Sequence, residues 1–190
     1  MPKTTKTPAS TAFTEATLRA AQEILTKSYA SVWTGPSGEE SSGEAVARHL
    51  EATVTLLDKD GWSRVYTYYR DRDQSSDANP SDDESMTIKQ MLRALLRFVH
   101  EDLDVDPRRS LSIALQHVGD DGRHGDTDTA YVAGTVLDRL VQAHTGSASA
   151  RATPWSERQH RTHADITALL RAGARFARTY GPGAATAPAA

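Results

Sequence analysis

The chain of 190 residues contains no cysteine, and only 6% of its residues are aromatic. The absence of cysteine excludes disulfide bonds, catalytic thiolates and zinc sites built on cysteine. The apolar content of 38% is low for a globular protein, so part of the chain is predicted to lie in tails or loops. The length still fits one domain that is large enough to bury a substantial core.

Long apolar runs are also missing, since none approaches the roughly 20 residues that a membrane-spanning helix needs. The first ten residues, MPKTTKTPAS, are charged and lack the apolar centre of a secretory signal. A formal net charge of −3 provides no overall positive field that would attract nucleic acids or acidic membranes. These absences predict a cytoplasmic protein that has no membrane partner.

The apolar residues that are present recur with helical spacing, which predicts an all-α fold, a single-domain bundle of about six helices. An N-terminal amphipathic helix is predicted over 13–32, followed by a bundle domain over 44–180. The helices of that domain are predicted over 44–59, 85–102, 107–118, 131–144 and 163–180. The apolar faces of four of these helices are predicted to point inward. They consist of Val46, Leu50, Val54 and Leu57 in the 44–59 helix and of Leu111, Ala114, Leu115 and Val118 in the 107–118 helix. In the 131–144 helix they are Val132, Val136, Leu137, Leu140 and Val141, and in the 163–180 helix they are Ile166, Leu169, Leu170, Gly173, Phe176 and Ala177.

The segments between these helices are rich in Gly, Ser, Pro and Asp, which is typical of loops. The β-preferring run WSRVYTYYR predicts a short extended segment or hairpin near 62–70. Asp106 and Pro107 form a helix-start signal, with the aspartate as the N-cap. The other predicted connections are a flexible linker at 34–44, a mobile acidic loop at 71–84, a flexible connection at 146–154, and disordered tails at 1–12 and 181–190.

Residues 155–170, WSERQHRTHADITALL, place His160 and His163 three positions apart, which raises the alternatives of a metal site and of a helix start. Two histidines on one helix bind zinc well at a spacing of four, and no acidic third ligand is fixed nearby. Thr162 and Asp165 have the form of a capping box in front of an apolar periodic run. The pattern therefore favours the start of a helix.

A second polar cluster lies in residues 117–128, HVGDDGRHGDTD, where carboxylates and imidazoles suit a divalent metal. The candidate ligands in it are His117, Asp120, Asp121, His124, Asp126 and Asp128. The segment lacks the ligand series of an EF-hand and the HExxH helix of a zinc protease. As the alternative, Asp126, Thr127 and Asp128 cap the next helix and favour its dipole.

Basic residues form rows on two predicted helices, and such rows are either solvated faces or nucleic-acid surfaces. The two rows consist of Lys89, Arg93 and Arg97, and of Arg171, Arg175 and Arg178. Trp62 follows one predicted helix and Trp155 precedes another, so each tryptophan is predicted to wedge a helix end against the bundle.

Two segments, HLEATVTLLDKDGW at 49–62 and TPWSERQHRTHADITALLRAG at 153–173, resemble the opening and closing segments of a helical domain of unknown function, number 6197. The resemblance covers roughly residues 44–178. The positions that match the family are Trp62, Trp155, Arg161, Thr162 and Leu170. The resemblance implies an origin in actinobacteria or their phages, and it implies no activity.

No G-x-S-x-G, Walker or Rossmann glycine pattern occurs, so neither catalytic residues nor a cofactor are predicted. The leading hypothesis is a small non-enzymatic accessory or regulatory protein that binds a protein partner, or itself, through the helix at 13–32. One alternative is a nucleic-acid-binding regulator that uses the two basic rows. A second alternative is a metal-dependent enzyme that uses the 117–128 loop.

Overall fold

The computed structural model describes residues 13–28, 31–64 and 107–184. These residues form helices and no strand, which confirms the all-α prediction for the described part of the chain. Most of the extended segment predicted at 62–70, the acidic loop at 71–84 and the helix at 85–102 lie outside the described residues. The helices are α1 (Glu15–Thr26), α2 (Gly43–Asp60), α3 (Leu111–Asp121), α4 (Thr127–Thr145), α5 (Ala152–Ser156) and α6 (His163–Tyr180).

Helix α4 lies at the centre of the bundle and contacts each of the other five helices. Its apolar residues recur every three or four positions, so the 3.6-residue period places them on adjoining inner faces. Six of them are completely buried, namely Val132, Ala133, Val136, Leu137, Leu140 and Val141. The buried faces predicted for α2, α3 and α6 are confirmed in the same way.

Helices α2 and α6 form the most extensive helix pair, and glycine allows them to meet closely at one end. Gly43 begins α2, and its N–H donates to the carbonyl oxygen of Pro182 at 2.9 Å. A methyl group at Gly43 would overlap the carbonyl oxygen of Ala177 in α6. The start of α2 is therefore held directly against the backbone at the end of α6.

Helix α3 begins later than the sequence predicts, so the helix start predicted from Asp106 and Pro107 was wrong. Its N-cap is Ser110, whose hydroxyl accepts from the backbone of Ile113. The residue before it, Arg109, donates to the carbonyl oxygen of Gly61 at 3.1 Å and accepts from the N–H of Ser63 at 3.0 Å. This backbone pairing after α2 holds Arg109 in an extended conformation, so the helix begins only beyond it.

Residues 34–42 form a hydrogen-bonded loop and residues 43 and 44 already belong to α2, so the prediction of a flexible linker over 34–44 was wrong. The N–H of Ser41 donates to the carbonyl oxygen of Trp33 at 2.8 Å, and the N–H of Gly35 donates to that of Glu39 at 2.9 Å. The Ser37 hydroxyl and backbone N–H both donate to the Asp128 carboxylate at the start of α4. The loop is thereby fixed to the bundle.

Helix α1 ends at Thr26, well before the predicted end at Val32, and it packs on the bundle as part of the common core. Its buried residues are Leu18 and Ala21, and Phe13 and Val32 join the same core on either side of the helix. The apolar face that the sequence predicts for partner binding is therefore covered by the rest of the chain.

The connection predicted at 146–154 is shorter than expected, because the five-residue helix α5 begins at Ala152. The Asp138 carboxylate accepts from the Ala152 N–H at 2.7 Å, and the Gln142 side chain donates to the Ala150 carbonyl oxygen at 3.2 Å. Side chains of α4 therefore order this segment. In the described part of the chain, no helix has both the length and the apolar character needed to cross a membrane.

Candidate functional site

An open groove of about 470 Å³ lies along α3 and α4, and residues of α5 line one part of it. We call it the α3–α4 groove. Its lining residues come from both helices, from α5 and from the loop before α2. They are Pro36, Leu111, Ser112, Leu115, Gln116, Thr127, Ala130, Tyr131, Gly134, Thr135, Asp138, Ala152 and Thr153.

Small side chains create the space in this groove. A Cβ atom at Gly134 would meet no atom within 4 Å, so the missing side chain leaves open volume on α4. Ala130 lies one helical turn before it, and Ser112 of α3 lines the same groove. At the edge of the groove the side chain of Tyr131 is 56% exposed. Among the residues that the structure describes, no other large hydrophobic side chain is exposed.

The carboxylate of Asp138 lies where the groove meets α5, and it holds the start of α5 in place. The Asp138 side chain accepts from the backbone of Ala152 at 2.7 Å and lies 3.4 Å from the guanidinium of Arg151. Burial raises the pKa of Asp138, while this hydrogen bond and the arginine act in the opposite direction. The other lining residues are uncharged, so the groove is chemically suited to apolar and hydroxyl groups of a ligand.

The polar cluster at 117–128 is divided among structural contacts. Asp126 caps α4 by accepting from the Thr129 N–H at 2.8 Å and from its hydroxyl at 2.9 Å, and the pKa of Asp126 is lowered by these hydrogen bonds. Asp128 binds Ser37, and Asp121 lies 3.5 Å from Arg123. Among the described residues, no group of three or more His, Asp or Glu side chains is placed to hold a metal ion.

Three members of that cluster face a second groove, of about 460 Å³, between α2 and α3. His117, Asp121 and His124 line it on one side, opposite Arg48 and Lys59 of α2. Asp120 is exposed on α3 and is absent from the lining of this groove. The structure therefore brings together only part of the ligand set that the sequence suggests.

The histidine pair of the last helix lies at a capped helix start, as predicted. The Thr162 hydroxyl accepts from the Asp165 N–H at 3.3 Å, and the Asp165 carboxylate accepts from the Thr162 N–H at 3.0 Å. His163 Nε2 lies 3.4 Å from a carboxylate oxygen of Asp58 on α2, whereas His160 is exposed in the turn before the helix.

Trp62 and Trp155, two of the three tryptophans in the chain, pack at helix ends. Trp155 is 2% exposed, and the guanidinium of Arg161 lies 3.9 Å from the centre of its ring. Trp62 is half-buried against the core directly after α2. These contacts agree with the wedging role that the sequence suggests.

The basic row on α6 is largely committed to contacts within the chain. Arg178 donates to Glu44 at 2.9 Å and to Glu51 at 2.9 Å, and these bonds lower the pKa of both glutamates. Arg175 donates to the Phe13 carbonyl oxygen at 3.1 Å. The other row, Lys89, Arg93 and Arg97, lies outside the described residues.

We expect the double variant Arg171→Ala/Arg175→Ala to change the retention of duplex DNA by less than about twofold in a gel-shift at 50 mM salt. The reason is that Arg178 is already neutralised by two glutamates and the whole chain carries a net charge of −3. Binding that falls steeply with salt, and that the double variant loses, would instead support the nucleic-acid alternative.

A buried histidine that the sequence analysis did not single out joins α2 to α3. His49 is completely buried, with Nε2 at 3.1 Å from the Leu115 carbonyl oxygen and Nδ1 at 3.2 Å from that of His124. Burial lowers its pKa, although both carbonyl oxygens favour the protonated form. The available signal was its position, three residues after Val46 and one before Leu50, on the apolar face of α2.

Comparison with known protein families gives a match. The model of a family described as "Family of unknown function (DUF6197)" matches residues 41–176, well over half of the chain. Neither the curated proteins nor the solved structures include one that matches this chain.

Proposed function

The chain belongs to DUF6197, a family of unknown function, and from the geometry of its surface we propose that it is a non-enzymatic accessory or regulatory protein that binds a partner protein in the α3–α4 groove. The observation that supports this is an open groove with an almost uncharged lining, beside the exposed aromatic ring of Tyr131. A partly exposed tyrosine is a common anchor at protein interfaces, because it offers apolar area together with a polar tip. The proposal includes a cytoplasmic site of action, which fractionation of cells that produce the protein would test.

The occupant that we propose is an amphipathic helix of the partner. The lining residues on α4 extend from Thr127 to Asp138, which corresponds to about 16 Å at 1.5 Å per residue. This length accommodates roughly three turns of a docked helix, whose apolar anchors recur at positions i, i+4 and i+7. The space above Gly134 would receive one of these anchors, and Tyr131 would lie along the side of the helix.

A displayed library of helical 15-residue peptides, selected against the full chain, tests the proposal. We expect the selected peptides to share an apolar stripe and to shift the NMR resonances of groove residues when bound. Selected peptides that shift other surfaces, or a selection without enrichment, would contradict the proposed site.

Substitutions at Gly134 provide a matched pair for that test. Gly134→Arg fills the groove and should weaken binding of a selected peptide at least about tenfold, which corresponds to about 1.4 kcal/mol. Gly134→Ala adds only a methyl group, so it should weaken binding much less, by no more than about fourfold, or about 0.8 kcal/mol. Isothermal titration with the same peptide measures both. Equal affinity of the two variants would place the peptide outside the groove.

A further inference from the structure

Helix α1 is attached to the bundle by fewer buried residues than the other long helices. Within its bounds only Leu18 and Ala21 are buried, whereas α2, α4 and α6 each bury eight residues. It packs mainly on α4 and also touches α6. Local opening takes place where few apolar contacts are lost, so α1 is the long helix that separates from the bundle most readily.

Helix α1 contacts the bundle as a docked peptide would, with Phe13 as its single aromatic anchor. Phe13, just before the helix, packs its ring 4.9 Å from that of His144 and 5.8 Å from that of Trp155. Arg175 of α6 donates to the Phe13 carbonyl oxygen at 3.1 Å. Aromatic anchors of this kind concentrate the binding energy of a helix at one end.

A polar side chain of α1 is buried without a partner. The Gln22 Oε1 atom has no hydrogen bond among the described residues. Buried polar groups are costly when they lack partners. A different helix that carried an apolar side chain in place of Gln22 would bind the same surface without this cost.

The matched part of the family begins at residue 41, so α1 lies outside it. The surface formed by α4, Trp155 and Arg175, which we call the α1-covered face, lies inside the matched residues. The matched part of this chain therefore carries an apolar face, and α1 covers it.

From these observations we infer that the α1-covered face is a helix-binding site, that α1 occupies it in cis, and that an amphipathic helix of a partner protein replaces α1 there. The partner helix has the chemistry of α1, with an aromatic anchor, a leucine five residues later and a small residue three residues after that, as in Phe13, Leu18 and Ala21. This site is separate from the α3–α4 groove and does not depend on it.

Native-state hydrogen exchange of the full chain tests whether α1 separates from the bundle. We expect the amides of α1 to exchange at least about 100-fold faster than the most protected amides of α2, α4 and α6. Exchange of all four helices at one common rate would mean that α1 opens only with the whole fold, and this would overturn the inference.

Binding in trans tests the site itself, with a fluorescein-labelled synthetic peptide of residues 13–28 as the probe. Full-length Phe13→Ala loses the anchor of its own α1, so it should bind the peptide at least about tenfold more tightly than the wild type does. Arg19→Ala changes an exposed residue of α1 and should behave like the wild type. A labelled peptide in which Phe13 is itself alanine should not bind.

Absence of binding to Phe13→Ala, in a sample that still unfolds cooperatively, would overturn the inference. A concentration-dependent dimer that exchanges α1 between copies would also overturn it, since the occupant would then be a second copy. If Phe13→Ala does not fold, the hydrogen-exchange result on the wild type decides. Gly134→Arg should leave binding of this peptide unchanged, so failure here is distinguishable from failure of the α3–α4 groove.

Discussion

Replacement of Gly43 by alanine is expected to lower the free energy of unfolding by about 2 kcal/mol, although alanine is the better helix former. A methyl group at this position would overlap the Ala177 carbonyl oxygen and lie 3.0 Å from the Cα atom of Gly181. Both neighbours are backbone atoms, so the overlap is relieved only when α2 moves away from α6. Thermal unfolding should show a Tm lower by about 4–8 °C for a chain of this length.

The matched control is the same substitution at Gly134, which is also helical but faces open space. Gly134→Ala should raise the free energy of unfolding by about 1 kcal/mol, because only the helix preference changes. The two variants therefore differ in the sign of their effect. A rise in stability for both would show that the ends of α2 and α6 are not in close backbone contact.

The helices that carry a regular apolar period could be predicted from the sequence, because that period depends on local geometry alone. Helix α6 begins at His163 and ends at Tyr180 as predicted, since Thr162 and Asp165 supply a cap immediately before its apolar run. The residues that become the buried face of α2 are likewise recognisable from their spacing.

The errors arise where tertiary contacts override local preference. Pro107 follows an aspartate and suits a helix start, but the pairing of Arg109 with Gly61 delays the helix to Leu111. The loop at 34–42 has the composition of a linker, yet a side chain 91 residues away, Asp128, holds its Ser37. Composition does not report partners at such distances in the sequence.

The candidate site was harder to predict than the fold, because an absent side chain defines it. Gly134 carries no chemical group that would mark it in the sequence. The open space that it leaves becomes part of a groove only because α3 packs beside α4. The conspicuous polar residues, in contrast, serve the fold. Asp126 caps a helix, and Arg178 joins α6 to two glutamates of α2.

His49 was also difficult to predict, because it is an ionisable side chain that occupies a buried core position. At pH 7.5 His49→Gln should lower the free energy of unfolding by about 2 kcal/mol, because an amide cannot match the contacts of the ring with Leu115 and His124. His117→Gln alters an exposed histidine and serves as the matched control. Urea unfolding at a series of pH values measures all three proteins.

The pH dependence of these free energies distinguishes a buried, neutral His49 from a merely structural side chain. Burial lowers the pKa of His49 in the folded protein, so the unfolded chain binds its proton first as the pH falls. The stabilisation from neutral His49 is therefore complete above about pH 6.5 and is lost as the pH falls through the folded pKa, by up to about 1.4 kcal/mol per pH unit. Asp126 faces His49 and favours its charged form, while His124 opposes that form, and the effect of burial on the pKa of His49 outweighs both.

The carboxylates of Glu44, Glu51 and Asp126, whose pKa values are lowered, lose their stabilising effect only at a more acidic pH. Between pH 7.5 and 5.5 the wild type and His117→Gln should thus lose stability more steeply than His49→Gln, and the gap between them should narrow. Parallel curves for all three proteins would show that His49 does not remain neutral in the core.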